Sequence, residues 1–307
     1  MPNDRIKGVI VPIVTPLTPD ENVDVASLRR LVDYLVDGGV HGIWAAGTTG
    51  EFAALRDDQR LLCIETVSDQ AAGRVPVIAN VSGAATRLTV DLALSVREMG
   101  LAGIAATPPY YYPCGQDEIA DHFRRISERV RMPLWAYNIP PTVKTTIEPG
   151  VIAMLGSEGH IVGTKDSSGA GEPLAQLNAL CRQGGVEMYR FLGSVYRTTT
   201  TRGVGAHGVI PGIANLVPTI AARAWEAGDR GDEEAAQDYL ARLVSATRVI
   251  RLADGGSLNS SAMSGIKSAL KILGIIEHDT MTSPLRSLTE EEKGLIPPIL
   301  AELGLAA

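Results

Sequence analysis

Short apolar runs alternate with longer stretches whose apolar residues recur at helical spacing, and the alternation repeats eight times along the chain. Residues 8–17, 42–47, 75–82, 103–107, 133–138, 161–167, 189–194 and 208–213 read as strands. Between them, residues 24–37 read as a helix with Val25, Leu28, Leu31, Val32, Leu35 and Val36 on one face. Residues 57–72, 84–99 and 116–130, a short segment from about Glu148, then 173–182, a short 197–204 and 218–228 complete the helical set. Asp57 and Asp58 suit the positive end of their helix, and Gly100 suits the stop after 84–99. The strands are nearly continuous hydrophobic runs, as strands buried on both faces are, so the sheet is predicted to be parallel. Eight such units predict a closed (β/α)8 barrel. The alternative, an open doubly wound sheet, wants a phosphate-binding turn after its first strand, and Thr15-Pro16-Leu17-Thr18-Pro19 is not one.

Past the eighth strand the pattern becomes wholly helical, over 232–252, 257–273 and 289–303. Asp254-Gly255-Gly256 separates the first two, and Thr289 followed by Glu292 has the spacing of a capping box. The predicted architecture is therefore an α/β (TIM) barrel carrying the catalytic site over residues 1–230, with a three-helix C-terminal extension over 231–307.

Composition narrows the function classes. A chain of 307 residues, 45% hydrophobic and 21% charged, can bury a full barrel core without disulfides or metal. The net charge of −7 and the lack of a basic run argue against nucleic-acid binding. Cys63, Cys114 and Cys181 are far apart and odd in number, which gives no zinc spacing and suits a reducing cytoplasm; Cys63 reads as core. Residues 1–7 are polar and run straight into a strand, unlike a signal peptide, and no apolar run predicts a membrane span.

Barrel active sites sit at the C-terminal ends of the strands. The sixth strand ends Gly163-Thr164-Lys165-Asp166, and this chain has only six lysines among its 28 basic residues. An apolar setting favours the free amine over the ammonium ion, and a free amine attacks carbonyls. A lysine simply paired with Asp166 or a neighbouring acid is the alternative. The fifth strand ends Tyr137-Asn138-Ile139-Pro140, so the Tyr137 phenol is directed to the same space and could move protons there or serve only as core. The second ends Gly47-Thr48-Thr49-Gly50-Glu51: glycines that admit a ligand to the backbone, hydroxyls and amides that suit a carboxylate, and Glu51 placed to hold the turn. The fourth ends in a proline-bounded loop with Tyr110, Tyr111 and Tyr112, suited to binding or to an oligomer interface. His41 and His207 precede their strands and read as structural, so a metal-dependent aldolase has no ligand cluster; the glycines of 203–208 are a weak hint of a phosphate site.

Together these motifs resemble the dihydrodipicolinate synthase / N-acetylneuraminate lyase family of class I aldolases, and the resemblance spans nearly the whole chain, including Gly208-Val209-Ile210-Pro211-Gly212-Ile213-Ala214-Asn215. The resemblance implies that Lys165 forms a Schiff base with pyruvate or another 2-oxo acid. It implies that Tyr137 handles protons, that Thr48 and Thr49 beside Gly47 hold the carboxylate, and that Ile210 packs near the imine. Tyr110, or one of the adjacent Tyr111 and Tyr112, would complete a proton relay, often from a neighbouring subunit. No metal or organic cofactor is implied; a homotetramer is. Thr142 stands in the second-substrate position where the family's synthases carry an arginine, and nearby Lys144 cannot offer the same fork. This favours a lyase or dehydratase of the sugar-acid type, taking pyruvate and a small aldehyde or sugar acid, over dihydrodipicolinate synthesis. A non-catalytic 2-oxo-acid sensor is the rival from another class.

Overall fold

A computed structural model describes residues 6–169 and 171–305 of the chain. Of the N-terminal stretch 1–7 only Ile6 and Lys7 are among them; Ala170 and the last two residues are outside.

Among the described residues, eight parallel strands close into a barrel in sequence order. They are β1 (Gly8–Pro12), β2 (Gly42–Ala45), β3 (Val77–Asn80), β4 (Gly103–Ala106), β5 (Leu134–Asn138), β6 (Gly163–Asp166), β7 (Tyr189–Leu192) and β8 (Gly208–Val209). The connecting helices are α1 (Val25–Asp37), α2 (Asp57–Ala71), α3 (Thr86–Ser95), α4 (Gln116–Val130), α5 (Pro140–Val143), α6 (Pro149–Ser157), α7 (Glu172–Gly184) and α8 (Pro218–Arg230). The apolar residues named for α1 account for its buried face, with Leu28, Leu31, Val32 and Leu35 all fully buried, and the Asp24 carboxylate caps its first turn by accepting from Ser27 N. The helix after β7 is where the pattern misleads. In place of a helix over 197–204 stand two 3₁₀ turns, Val195–Arg197 and Arg202–Val204, around a run of four threonines whose β-branched side chains disfavour a continuous helix.

The eighth strand is much shorter than the hydrophobic run 208–213. Pro211 has no N–H to give to a ladder, and a 3₁₀ turn follows at Gly212–Asn215. The Asn215 side chain takes over the closure: its amide donates to Pro12 O (2.9 Å) and its carbonyl oxygen accepts from Val14 N (3.0 Å). Barrel rim and first strand are thus joined by one buried amide.

Strand alternation divides the core in two. Val9, Val11, Ile43, Ala45, Leu134 and Ala136 face the helices, whereas Ile10, Trp44, Ile78, Ala105, Trp135, Tyr137, Phe191 and Ile210 fill the barrel. Trp135 and Tyr189 stack inside it with ring centroids 5.4 Å apart. Gly163 stands between these rings, where a Cβ would come within 2.8 Å of Trp135. The aromatic layer therefore requires a glycine two positions before Lys165.

The C-terminal region folds as α9 (Glu233–Ala246), a 3₁₀ segment (Thr247–Arg251), α10 (Leu258–Ile272), α11 (Glu290–Lys293) and α12 (Ile296–Glu302). The run 289–303 is two helices because Pro297 and Pro298 restart the chain in the first turn of α12. The capping box at Thr289 and Glu292 forms, with Glu292 N donating to Thr289 Oγ1 at 3.2 Å. No helix among the described residues is long and apolar enough to cross a membrane.

Candidate active site

Register decides which side chains meet. Tyr137 pairs with Lys165 across β5 and β6, and Lys165 with Phe191 across β6 and β7. Laterally paired residues of a parallel sheet share a face, so Lys165 points into the barrel with Tyr137 and Phe191, while Thr164 and Asp166 point outward. Lys165 Nζ donates to Tyr137 Oη at 3.3 Å, and Tyr137 Oη lies 3.2 Å from Thr48 Oγ1. An amine, a phenol and a hydroxyl from β6, β5 and the turn after β2 thus form one continuous chain. Lys165 is 3% exposed, and its Nζ lies 4.3 Å from the Tyr137 ring centre and 5.1 Å from that of Trp44.

Asp166 does not neutralise the lysine. Its carboxylate accepts from Asn138 Nδ2 (2.8 Å) and from Ser168 N and Oγ (3.2 and 2.9 Å), tying the ends of β5 and β6 together outside the barrel. Among the described residues Lys165 has no ion pair. The molecule's other fully buried lysine is the opposite case: Lys267 in α10 is paired with Glu51 and donates to Thr280 O at 2.7 Å. Burial pulls the Lys267 ammonium below its ordinary pKa, against the upward pull of Glu51.

The turn carrying Thr48 and Thr49 is held from below and from the side. Gly47 is needed because a Cβ there would stand 2.9 Å from Trp44 Cδ1; its lack of a side chain serves packing against that ring. Asn80 Nδ2 donates to Ala46 O (2.9 Å), Ser82 Oγ donates to Asn80 Oδ1 (2.7 Å), and Thr107 N donates to Ser82 Oγ (2.8 Å). Buried Arg60 donates to Ser82 O at 3.0 Å and lies over the Phe52 ring. The His122 imidazole meets Thr107 O through Nε2 (3.2 Å) and Thr86 Oγ1 through Nδ1 (2.9 Å), and burial lowers its pKa from 6.5 to about 4. Since a carbonyl only accepts, Nε2 carries the proton and Nδ1 accepts from the threonine.

Other expected residues fall outside this chain of contacts. Tyr110 is half-buried, packs edge-on against Phe52 and, among the described residues, bonds neither Thr48 nor Thr49. Tyr111 and Tyr112 pack edge-on against each other in solvent, 75% and 73% exposed. Thr142, in α5, is exposed, and so is Lys144 behind it. Ile210 is buried within the barrel cluster beside Tyr137. His41 accepts from Val9 N and His207 from Arg190 N, each closing a strand start, as their positions suggested. Cys63 is buried, and burial pushes its thiol pKa up. Among the described residues no group of three or more His, Cys, Asp or Glu side chains is placed to hold a metal.

Trp44, Asn80, Asn138 and Lys267 were not anticipated. Trp44 was visible as a bulky residue inside a strand, and Lys267 as a charge inside the apolar run Ile266-Lys267-Ser268-Ala269-Leu270. A cavity of about 190 Å³ opens beside Thr48 and Thr49, between the barrel mouth and the C-terminal helices.

Known proteins are similar to the chain along nearly its full length. The chain is 32% identical over 300 residues to 4-hydroxy-tetrahydrodipicolinate synthase of Trichlorobacter lovleyi, covering 97% of this chain and 99% of that protein. It is 30% identical over 300 residues to an uncharacterized DapA-like lyase of Halobacterium salinarum, covering 98% and 95% respectively. Among solved structures, dihydrodipicolinate synthase from Bacteroides thetaiotaomicron superposes with a TM-score of 0.90 at 29% identity, over 96% of this chain and 98% of that one. YagE, a prophage protein from E. coli K12 solved in complex with pyruvate, shares the fold at a TM-score of 0.90 and 24% identity, over 98% and 99%. The model of the dihydrodipicolinate synthetase family matches residues 5–302, from the first strand through the last helix, and the chain belongs to that family.

Proposed function

We propose that the protein is a lyase of the class I aldolase type, which holds pyruvate or a longer 2-oxo acid as a Schiff base on Lys165. The observation that carries this reading is the hydrogen-bonded chain Lys165–Tyr137–Thr48 at the barrel mouth, in which the buried amine has a phenol and two ring faces for neighbours and no carboxylate. Two named relatives, one a synthase and one a lyase, agree with the reaction class.

That geometry supports the following steps. The lysine nitrogen adds to the ketone carbon, and the carbonyl oxygen, protonated through Tyr137, leaves as water. The resulting cationic imine accepts the electron pair of the adjacent bond. In the cleavage direction a base takes the proton of the C4 hydroxyl, the C3–C4 bond breaks, an aldehyde departs, and its electron pair forms an enamine. Tyr137 is the proton carrier nearest the nitrogen, with Thr48 as the next link. Protonation at C3 and addition of water then release pyruvate and the free lysine. Condensation is the same path reversed. Thr48, Thr49 and the backbone near Gly47 orient the carboxylate, and Ile210 keeps water from the inner face of the imine.

Dihydrodipicolinate synthesis is the less favoured activity, because a second carboxylate would meet exposed Thr142 where the synthases place an arginine. Assembly as a homotetramer belongs to the same reading: the exposed Tyr111 and Tyr112 are suited to a subunit interface, which would bring a tyrosine of the 110–112 loop into a neighbouring site.

Incubation with pyruvate and borohydride, followed by peptide mass spectrometry, tests the proposal. A reduced pyruvyl adduct on Lys165 is expected. Absence of an adduct with pyruvate and with longer 2-oxo acids would leave a binding protein rather than an aldolase.

A further inference from the structure

Among the described residues, no charged side chain lines the cavity beside Thr48 and Thr49. Its floor is the barrel rim, where Gly193 follows β7 and Pro211 to Ile213 follow β8. Its roof is one face of α10, where Asn259, Ala262, Met263 and Ile266 recur at three- and four-residue spacing. Ile250 from the 3₁₀ segment and Val195 close the sides. Among the described residues, Thr247 and Asn259 are, beyond the threonine pair, the only side chains in the lining that can hydrogen-bond.

Thr48 connects this space to the chemistry. Its hydroxyl lies 3.2 Å from Tyr137 Oη, one hydrogen bond from Lys165 Nζ, and the same residue lines the cavity. Gly193 gives a second link, since its N–H donates to Asp166 O at 2.7 Å, next to the lysine. A substrate held by the threonines therefore has this cavity as its neighbouring volume.

We propose that the cavity receives the uncharged, apolar tail of the second substrate: a six-membered ring or a branched chain of about four to six carbons, carried by an aldehyde or by C4 and beyond of the 2-oxo acid. The inference rests on the aldolase reading above. Size supports it: an apolar cavity of roughly 150 Å³ holds a benzene molecule, and this one measures about 190 Å³. Charge supports it as well. A second carboxylate would be desolvated without a cation to receive it, and a polyhydroxylated chain would find two polar side chains for its several hydroxyls. The tail thus differs from the sugar acid that motif resemblance alone suggests.

The test is a comparison of acceptors in the pyruvate condensation: benzaldehyde and 3-methylbutanal against glyoxylate, succinic semialdehyde and D-glyceraldehyde. Wild-type kcat/KM should favour the first two by roughly 10–200-fold, the range that apolar contacts of a methylene or more provide. Ala262→Phe, which fills the cavity, should lower the ratio of benzaldehyde to glyoxylate at least tenfold. Met263→Ala, which enlarges it, should shift preference toward an aldehyde one or two carbons longer. Ratios measured on one preparation do not depend on the fraction folded, so a poorly folding variant still reports. A pyruvyl adduct on Lys165 together with a preference for charged or polyhydroxylated acceptors, or with ratios that neither variant moves, overturns the cavity assignment and leaves the aldolase reading intact. Failure to trap any adduct in the wild type overturns both.

Discussion

Glu51 closes the turn that carries Thr48 and Thr49, and its carboxylate is paired with Lys267 of α10, both side chains entirely out of water. The same carboxylate accepts from Thr282 N and Thr282 Oγ1, each at 2.8 Å. Glu51 itself has φ 61°, a left-handed conformation that a non-glycine residue adopts at a cost. Desolvating two opposite charges is expensive, and the pair offsets that cost only with good geometry and further hydrogen bonds, which Thr282 and Thr280 supply. The consequence is positional: the roof helix of the cavity and the turn that carries Thr48 and Thr49 are fastened to each other at one point.

Removing one partner should therefore be far worse than removing both. Glu51→Ala is expected to destabilise the protein by about 3–5 kcal/mol, since it leaves a buried ammonium and the Thr282 N–H unpaired. Glu51→Gln combined with Lys267→Met should recover part of that loss, with a coupling of about 0.5–3 kcal/mol. Urea unfolding of Glu51→Gln, Lys267→Met and the double variant provides the numbers. Strictly additive losses would show that the pair does not act as a unit.

The phenol of Tyr137 bridges amine and hydroxyl, so its loss should affect the proton steps more than binding. Tyr137→Phe is expected to lower kcat by ~10²–10⁴-fold, with KM for the 2-oxo acid changed little. Thr48→Val, which leaves Tyr137 in place but unlinked, should cost about tenfold, the worth of one good hydrogen bond. Single-turnover kinetics on both variants will decide; a Tyr137→Phe enzyme at the wild-type rate would remove the phenol from the mechanism.

Packing beneath the site gives a third expectation. Gly47→Ala places a methyl 2.9 Å from Trp44 Cδ1, and the ring, fully buried between barrel residues, has little room to yield. Overpacking of this kind costs about 1–3 kcal/mol. It should also displace the Trp44 face near which the Lys165 amine sits, so slower adduct formation with pyruvate should accompany the lower unfolding midpoint. Unchanged trapping kinetics would show that the ring position does not matter to the amine.

Much of this was legible along the chain because parallel barrels write their strands as apolar runs and place their chemistry at strand ends. Lys165 stood out as a charge in such a run, and β5–β6 register then aligned it with Tyr137. What was not legible depends on partners distant in sequence. Asn215 closes a motif whose first part reads as strand, yet its side chain bonds Pro12 O and Val14 N at the end of β1, a strand adjacent in space but at the far end of the sequence. Lys267 lies in a helix that reads as an appendage, and only folding brings it to Glu51. The strand-eight run looks long because hydrophobicity marks burial rather than pairing; Pro211 ends the ladder while the chain stays buried. Gly47 shows that a residue type can be singled out for one reason and required for another, here by the indole beneath it.

His122 supplies the prediction that pH alone can test. Burial lowers its folded-state pKa to about 4 from the ordinary 6.5, so the native imidazole stays neutral over a range in which the unfolded chain takes up a proton. The unfolded state then binds more protons than the native state between those values, and stability must fall as pH drops from 6.5 toward 4, with no contribution above that window and a constant one below it. The shift from 6.5 to about 4 corresponds to about 3 kcal/mol at the acid end. Protonation would also break the site's packing from behind, because the Nδ1 that accepts from Thr86 Oγ1 would become a donor, next to the Thr107 link to Ser82 and the turn beyond it. His122→Gln, which cannot titrate, should be less stable than wild type at pH 7.5 and should lose stability less steeply between pH 6.5 and 4.5. Carboxylates titrate in both proteins, so the difference between their urea-midpoint profiles isolates the histidine. Parallel profiles would mean that His122 is protonated in the native state as readily as in the unfolded chain.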